Sequence, residues 1–167
     1  MAKTSAGKIL VRIQFLDKFK TQLQKANQFK IDSTNDKMLA KSIKSWGGFI
    51  DQLEALAKEA IQESDWTSQL LSLQLLSRES ERFYNELVSA PVPSGLNAQD
   101  EQQYLTLLNS QAAPYQSKAS AAKMKVEEFW KNSTWEVALK NSWKVESLQP
   151  LVKIEIDALK KMNPGLS

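Results

Sequence analysis

The sequence predicts an all-α fold of about six helices, and three observations predict it. Apolar residues recur at steps of three and four in long runs, the spacing that lines one face of a helix. Glycine and proline number only five each in 167 residues, so few breakers interrupt those runs. No stretch alternates apolar and polar residues as a half-buried strand does. With 42% hydrophobic and 25% charged residues, the composition is that of a globular protein. The length suits a single domain over residues 1–167, long enough to bury a core.

The first helix is expected from about Ser5 to Phe29. Ile9, Ile13 and Leu16 form one row, and Val11, Phe15, Phe19, Leu23 and Ala26 another. Together they make a broad apolar face that docks on other helices. Ile31-Asp32-Ser33-Thr34 is a turn with capping residues.

The second helix, roughly Asn35 to Glu63, is the most regular. Leu39, Ile43, Trp46, Ile50, Leu53, Ala57 and Ala60 follow alternating steps of four and three, a heptad seam. Gly47-Gly48 lies inside it, where each glycine costs about 1 kcal/mol relative to alanine. Close approach of a crossing helix is the expected compensation, with a hinge or a partner's backbone as the other reading.

Ser64-Asp65 caps a third helix, about Trp66 to Ser89, with Trp66, Leu70, Leu73, Leu76, Tyr84 and Leu87 expected inside. Arg78-Glu79-Ser80-Glu81-Arg82 reads as mutual pairing on the surface, each pair contributing a few tenths of a kcal/mol. Pro91 and Pro93 end this helix near Ala90.

Asn97 then caps a central helix, with Asp100 and Glu101 in its positive first turn. Tyr104, Leu108, Ala112, Tyr115, Ala119, Ala122, Val126 and Phe129 form one stripe. The stripe keeps its phase through Pro114, which predicts one long helix kinked at Pro114 rather than two. Ser133 and Glu136 make a capping box for a helix of about Thr134 to Glu146. Pro150 starts the last helix, with Leu151, Ile154, Ala158, Leu159 and Met162 on its stripe, and Asn163-Pro164-Gly165 stops it.

The order P-x-G-L-x-x-x-D-x-Q-Q-Y-x-x-L-L-x-x-Q-A-A-P-Y, Pro93 to Tyr115, resembles a segment in the C-terminal part of tetratricopeptide-repeat envelope proteins of gliding and predatory delta-type bacteria. The resemblance covers about residues 91–130, and the tail Ala158 to Pro164 is similar to the end of a repeat's second helix. The full repeat pattern is absent: Trp46 is followed by Phe49-Ile50 rather than Leu-Gly. The resemblance implies antiparallel hairpins stacked as a solenoid and a non-catalytic role in binding or scaffolding proteins. It also implies a periplasmic or envelope location and a fragment from the C-terminal part of a longer chain, with a cytoplasmic location still open.

The chain has no cysteine and no histidine. That removes disulfides, thiolate nucleophiles, and the commonest general base and metal ligand. Phosphate-loop, dinucleotide and nucleophile-elbow motifs are absent. Glu127-Glu128 and Asp100-Glu101 are the remaining carboxylate pairs, but neighbours on a helix point about 100° apart and share no face. The expectation is no enzyme, no cofactor and no metal.

Charge is unevenly spread. Up to Lys30 the chain holds seven Lys/Arg and one acid, Asp17, so the remainder is net acidic. Lys8, Arg12, Lys18 and Lys20 could therefore meet an anionic surface or a nucleic acid, as the alternative function. No run approaches the 18 or so apolar residues of a membrane span. For a protein partner, Trp130, Trp135 and Trp143 are the candidate anchors, with Tyr104 and Tyr115 completing the floor.

Overall fold

The structure is a computed structural model, and it describes residues 5–132, 156–159 and 161. Among these residues every regular element is helical. Helix α1 is Ser5–Ala26, α2 is Asp36–Gln62, α3 is Trp66–Val88 and α4 is Ala98–Asn132. Residues 156–159 are also helical, and Ile156 and Leu159 belong to the same hydrophobic core. The helix expected at 134–146 lies outside the described residues.

Side-chain caps set the starts of three helices: Asp65 and Asn97 are the expected ones, whereas Asn35, expected inside α2, caps it in place of the turn residues 31–34. The Asn35 side chain accepts from the Met38 N–H, Asp65 accepts from that of Ser68, and Asn97 accepts from those of Gln99 and Asp100. Each satisfies donors that the first turn leaves without a helical partner. Helix α4 continues through Pro114. Its buried residues Leu108, Ala112, Ala119 and Ala122 lie on the expected stripe.

Contacts fix the directions. Lys18 reaches Glu59, Trp46 packs on Phe83, and Phe83 and Trp66 meet Tyr115 and Phe129. Consecutive helices therefore run antiparallel, up-down-up-down. Helix α3 touches all three others. It is buried nearly all round: Leu70, Leu71, Leu73, Leu75, Leu76, Phe83 and Leu87 are all in the core. This corrects the inner face read from sequence, which omitted Leu71, Leu75 and Phe83 and included Tyr84, a residue only half-buried.

The second correction concerns Glu79. Its side chain is 0% exposed, not a member of a surface cluster. Arg78 Nε lies 2.8 Å from one carboxylate oxygen and Arg82 Nη1 lies 3.0 Å from the other. Arg82 also covers the Trp46 ring at 4.5 Å and donates to the carbonyls of Ala26 and Phe29. One guanidinium thus closes the C-terminus of α1, stacks on α2 and neutralises an acid of α3.

The glycine pair resolves into two unlike positions. A Cβ on Gly47 would stand 2.8 Å from the Tyr115 hydroxyl, whereas one on Gly48 would meet nothing within 4 Å. At Gly47 the tip of the Tyr115 side chain, from α4, fills the space of a Cβ; this is the reach of one side chain rather than the expected close approach of a crossing helix, and Gly48 has no such reason. Beside it, Lys118 of α4 bridges Asp51 and Glu54 of α2 at 3.0 and 2.7 Å.

Candidate functional site

The first half of α1 and the α2–α3 corner leave a cleft of about 590 Å³ between them. Ile9, Val11 and Phe15 line it from α1, and Trp66 from the start of α3. These residues face inward because they share the apolar rows of their helices. The rim is charged with both signs: Lys8 on one side, Glu59 and Glu63 on the other.

The corner that shapes the cleft is held by a small network. Ser64 sits at φ 57°, a left-handed conformation that serines rarely adopt and that here ends α2. Asp65 follows as the cap of α3. One carboxylate oxygen accepts from the Ser68 N–H at 3.0 Å and the Ser68 hydroxyl at 2.6 Å. The other accepts from Arg12 Nε at 2.9 Å and also from Arg12 Nη2. Burial pushes the Asp65 carboxyl up, but the Arg12 and Ser68 hydrogen bonds together outweigh it and hold it below the usual aspartate range. The pair pins α1 to the corner and keeps the cleft's shape.

A row of aromatic rings leads out of the cleft. Trp66 stacks on Phe129 with centroids 6.0 Å apart and planes 12° apart. Phe129 meets Trp130 edge-on at 5.2 Å and 82°. The start of α3 and the end of α4 therefore bring their aromatic rings together at one end of the bundle.

The structure distributes the expected partner residues between core and surface. Trp130 is half-buried and lies on this row. Tyr115 packs edge-on against Phe83 at 4.5 Å, inside the bundle. Tyr104 packs against the core, and its hydroxyl is buried without a hydrogen-bond partner among the described residues. These two tyrosines lie along the stripe that faces α3, away from Trp130. Trp135 and Trp143 lie outside the described residues.

The basic residues of α1 are also divided. Arg12 is held by Asp65, and Lys18 pairs with Glu59 at 2.6 Å. Lys8 and Lys20 are exposed. Two of the seven positive groups counted up to Lys30 are thus paired within the fold.

Sequence reasoning identified Ile9, Phe15, Asp65 and Trp66 only as stripe or cap residues. Nothing in their spacing shows that residues some fifty positions apart enclose one cleft. The sole local signal is the Ser-Asp-Trp order at 64–66, a tight corner followed by a large ring.

Among the described residues no group of three or more His, Cys, Asp or Glu could hold a metal ion, and no helix is long and apolar enough to cross a membrane. The cleft supplies apolar area, rings and a mixed-charge rim, which is the chemistry of recognition. No family model, no curated protein and no solved structure matches this chain.

Proposed function

We propose that this chain is a non-catalytic protein-binding domain whose site is the cleft between α1 and the α2–α3 corner, extended by the aromatic row to Trp130. The observation that carries the reading is the cleft's anatomy: an apolar floor of Ile9, Val11, Phe15 and Trp66 inside a rim of Lys8, Glu59 and Glu63. Interfaces share that arrangement of apolar centre and polar edge. The occupant is an amphipathic helix or extended segment of another protein, with one or two large apolar anchors.

The resemblance over residues 91–130 takes the proposal further. It supports stacked helical hairpins of the tetratricopeptide-repeat kind, a scaffold role in a bacterial envelope assembly and a periplasmic location. A kink of α4 at Pro114 belongs to the same reading, because proline cannot donate to the carbonyl of Ser110. The antiparallel order of α1 to α4 suits such hairpins, although these helices, at 22 to 35 residues, exceed the roughly 14 residues usual for one helix of such a repeat.

Display selection of helical and extended peptides against the whole chain tests the site. Selected binders should lose affinity with Ile9→Glu and with Trp130→Ala, keep it with Lys20→Ala, and change little with salt. The second reading, an anionic-surface binder, rests on the exposed Lys8 and Lys20 of α1. It predicts the reverse: binding to polyanions that falls steeply with salt and with Lys20→Ala. Binders that ignore Ile9→Glu and Trp130→Ala place the site elsewhere and refute the first reading.

A further inference from the structure

The face of α4 turned away from α3 is uncharged and exposed over most of its length. Leu107, Ser110, Pro114, Ser117, Ala121 and Met124 follow one another at alternating steps of three and four, all exposed. Leu107 at 58% and Met124 at 67% are the most exposed large apolar side chains among the described residues. Between these two ends the side chains are small, so another backbone can come close. Near Leu107 the face carries a shallow hollow lined by Gln99, Gln102, Gln103, Thr106, Leu107 and Ser110. The last four of these stand at i, i+3, i+4 and i+7, the diamond that receives one side chain of a facing helix.

We propose that this face binds a second copy of the chain, the two α4 helices lying antiparallel about a two-fold axis near residues 115 and 116, with Met124 of each copy seated in the hollow of the other. The occupant follows from self-complementarity. The molecule carries both a protruding apolar side chain and a hole of matching geometry on one helix face, and a two-fold axis satisfies both at once. Seating Met124 opposite residue 107 fixes the register. That register also brings residue 100 opposite residue 131, so Asp100 stands beside Lys131 of the other copy, and Glu128 falls opposite the uncharged Gln103. The charge match played no part in choosing the register. Antiparallel helix dipoles favour the same orientation. Helix α4 is roughly 50 Å long at 1.5 Å per residue, but one helix pair is a small interface. The dimer is therefore reversible and depends on concentration.

Sedimentation velocity of the whole chain at rising concentration tests the proposal. The mass should climb from 18.9 kDa towards twice that value. Met124→Glu should hold it at the monomer with an unchanged helical signal and melting temperature, since this side chain lies outside the core. The chain has no cysteine, so introduced thiols report geometry alone. Ser110→Cys and Ala121→Cys in one chain should give an oxidised covalent dimer, because 110 faces 121 across the axis; either change alone should not. A monomer at every concentration overturns the proposal, as does a dimer that survives Met124→Glu. Cross-linking by Ser110→Cys alone indicates parallel helices and overturns the register. None of these changes touches the cleft, so a failure here leaves the protein-binding reading to its own test.

Discussion

Two adjacent glycines with opposite surroundings give a sharp test of how α2 and α4 meet. Replacing Gly48 by alanine removes backbone freedom from the unfolded chain and adds a methyl into open space. It should stabilise the fold by about 1 kcal/mol. Gly47→Ala gains the same propensity but places its Cβ 2.8 Å from the Tyr115 hydroxyl. That ring cannot retreat freely, since it packs edge-on against the buried Phe83 at 4.5 Å. Overpacking of this kind costs about 1–3 kcal/mol, so the net effect is a loss of about 1 kcal/mol. The two variants should thus differ by about 2 kcal/mol in urea unfolding. For a chain of this size that is a melting difference of roughly 4–8 °C. Tyr115→Phe removes the obstructing oxygen, and in that background Gly47→Ala should become stabilising like Gly48→Ala. If both alanines shift stability equally, or if Tyr115→Phe fails to rescue Gly47→Ala, the placement of the Tyr115 hydroxyl against Gly47 is wrong.

Three further outcomes follow from the charged groups. Burial raises the Glu79 carboxyl above its ordinary 4.5, and Arg78 and Arg82 offset this only in part. The stability Glu79 contributes is then full below pH 4.5 and lost as pH rises through its folded value; Glu79→Gln should remove that slope from a pH series of melting temperatures, and an unchanged slope would contradict it. Glu54 behaves oppositely: hydrogen bonds from Lys118 and Lys58 hold it down at about 2, so its stabilisation is present above 4.5 and lost as pH falls towards 2. Lys118→Met should flatten that acid limb in a pH series of melting temperatures, and an unchanged limb would refute the bridge. Arg82→Lys should speed amide exchange over the segment following α1, because a lysine cannot span the carbonyls of Ala26 and Phe29 while covering Trp46; protection equal to wild type would show that the guanidinium does not hold this end.

Helices α1, α2 and α4 were legible because each buries one face. Phe15-Phe19-Leu23, Trp46-Ile50-Leu53 and Leu108-Ala112-Ala119 all stand where periodicity places them. Helix α3 resisted the same reading because it meets three neighbours. Its run Leu70, Leu71, Leu73, Leu75 and Leu76 has no single inner face to find, and a helix apolar all round is a central one. Glu79 was hidden by the opposite effect: among four other polar residues an acid looks solvated, and only the fold buries it. Gly47 and Gly48 are indistinguishable in sequence, since a neighbour 68 positions away makes the difference. The cleft was illegible for the same reason, being enclosed by Ile9 and Phe15 from one helix and Asp65 and Trp66 from another. Trp130, by contrast, could be singled out as a partly exposed ring because it adjoins Phe129 near a helix end.

The five tryptophans allow one measurement to test the proposed binding site directly. Each indole N–H gives its own signal in a nitrogen–proton correlation spectrum, and single Trp→Phe variants assign them. On addition of a selected peptide the Trp66 and Trp130 signals should move together and saturate with one affinity, while that of Trp46, fully buried under Arg82, should stay in place. Saturable binding that leaves Trp66 and Trp130 unmoved would contradict the account.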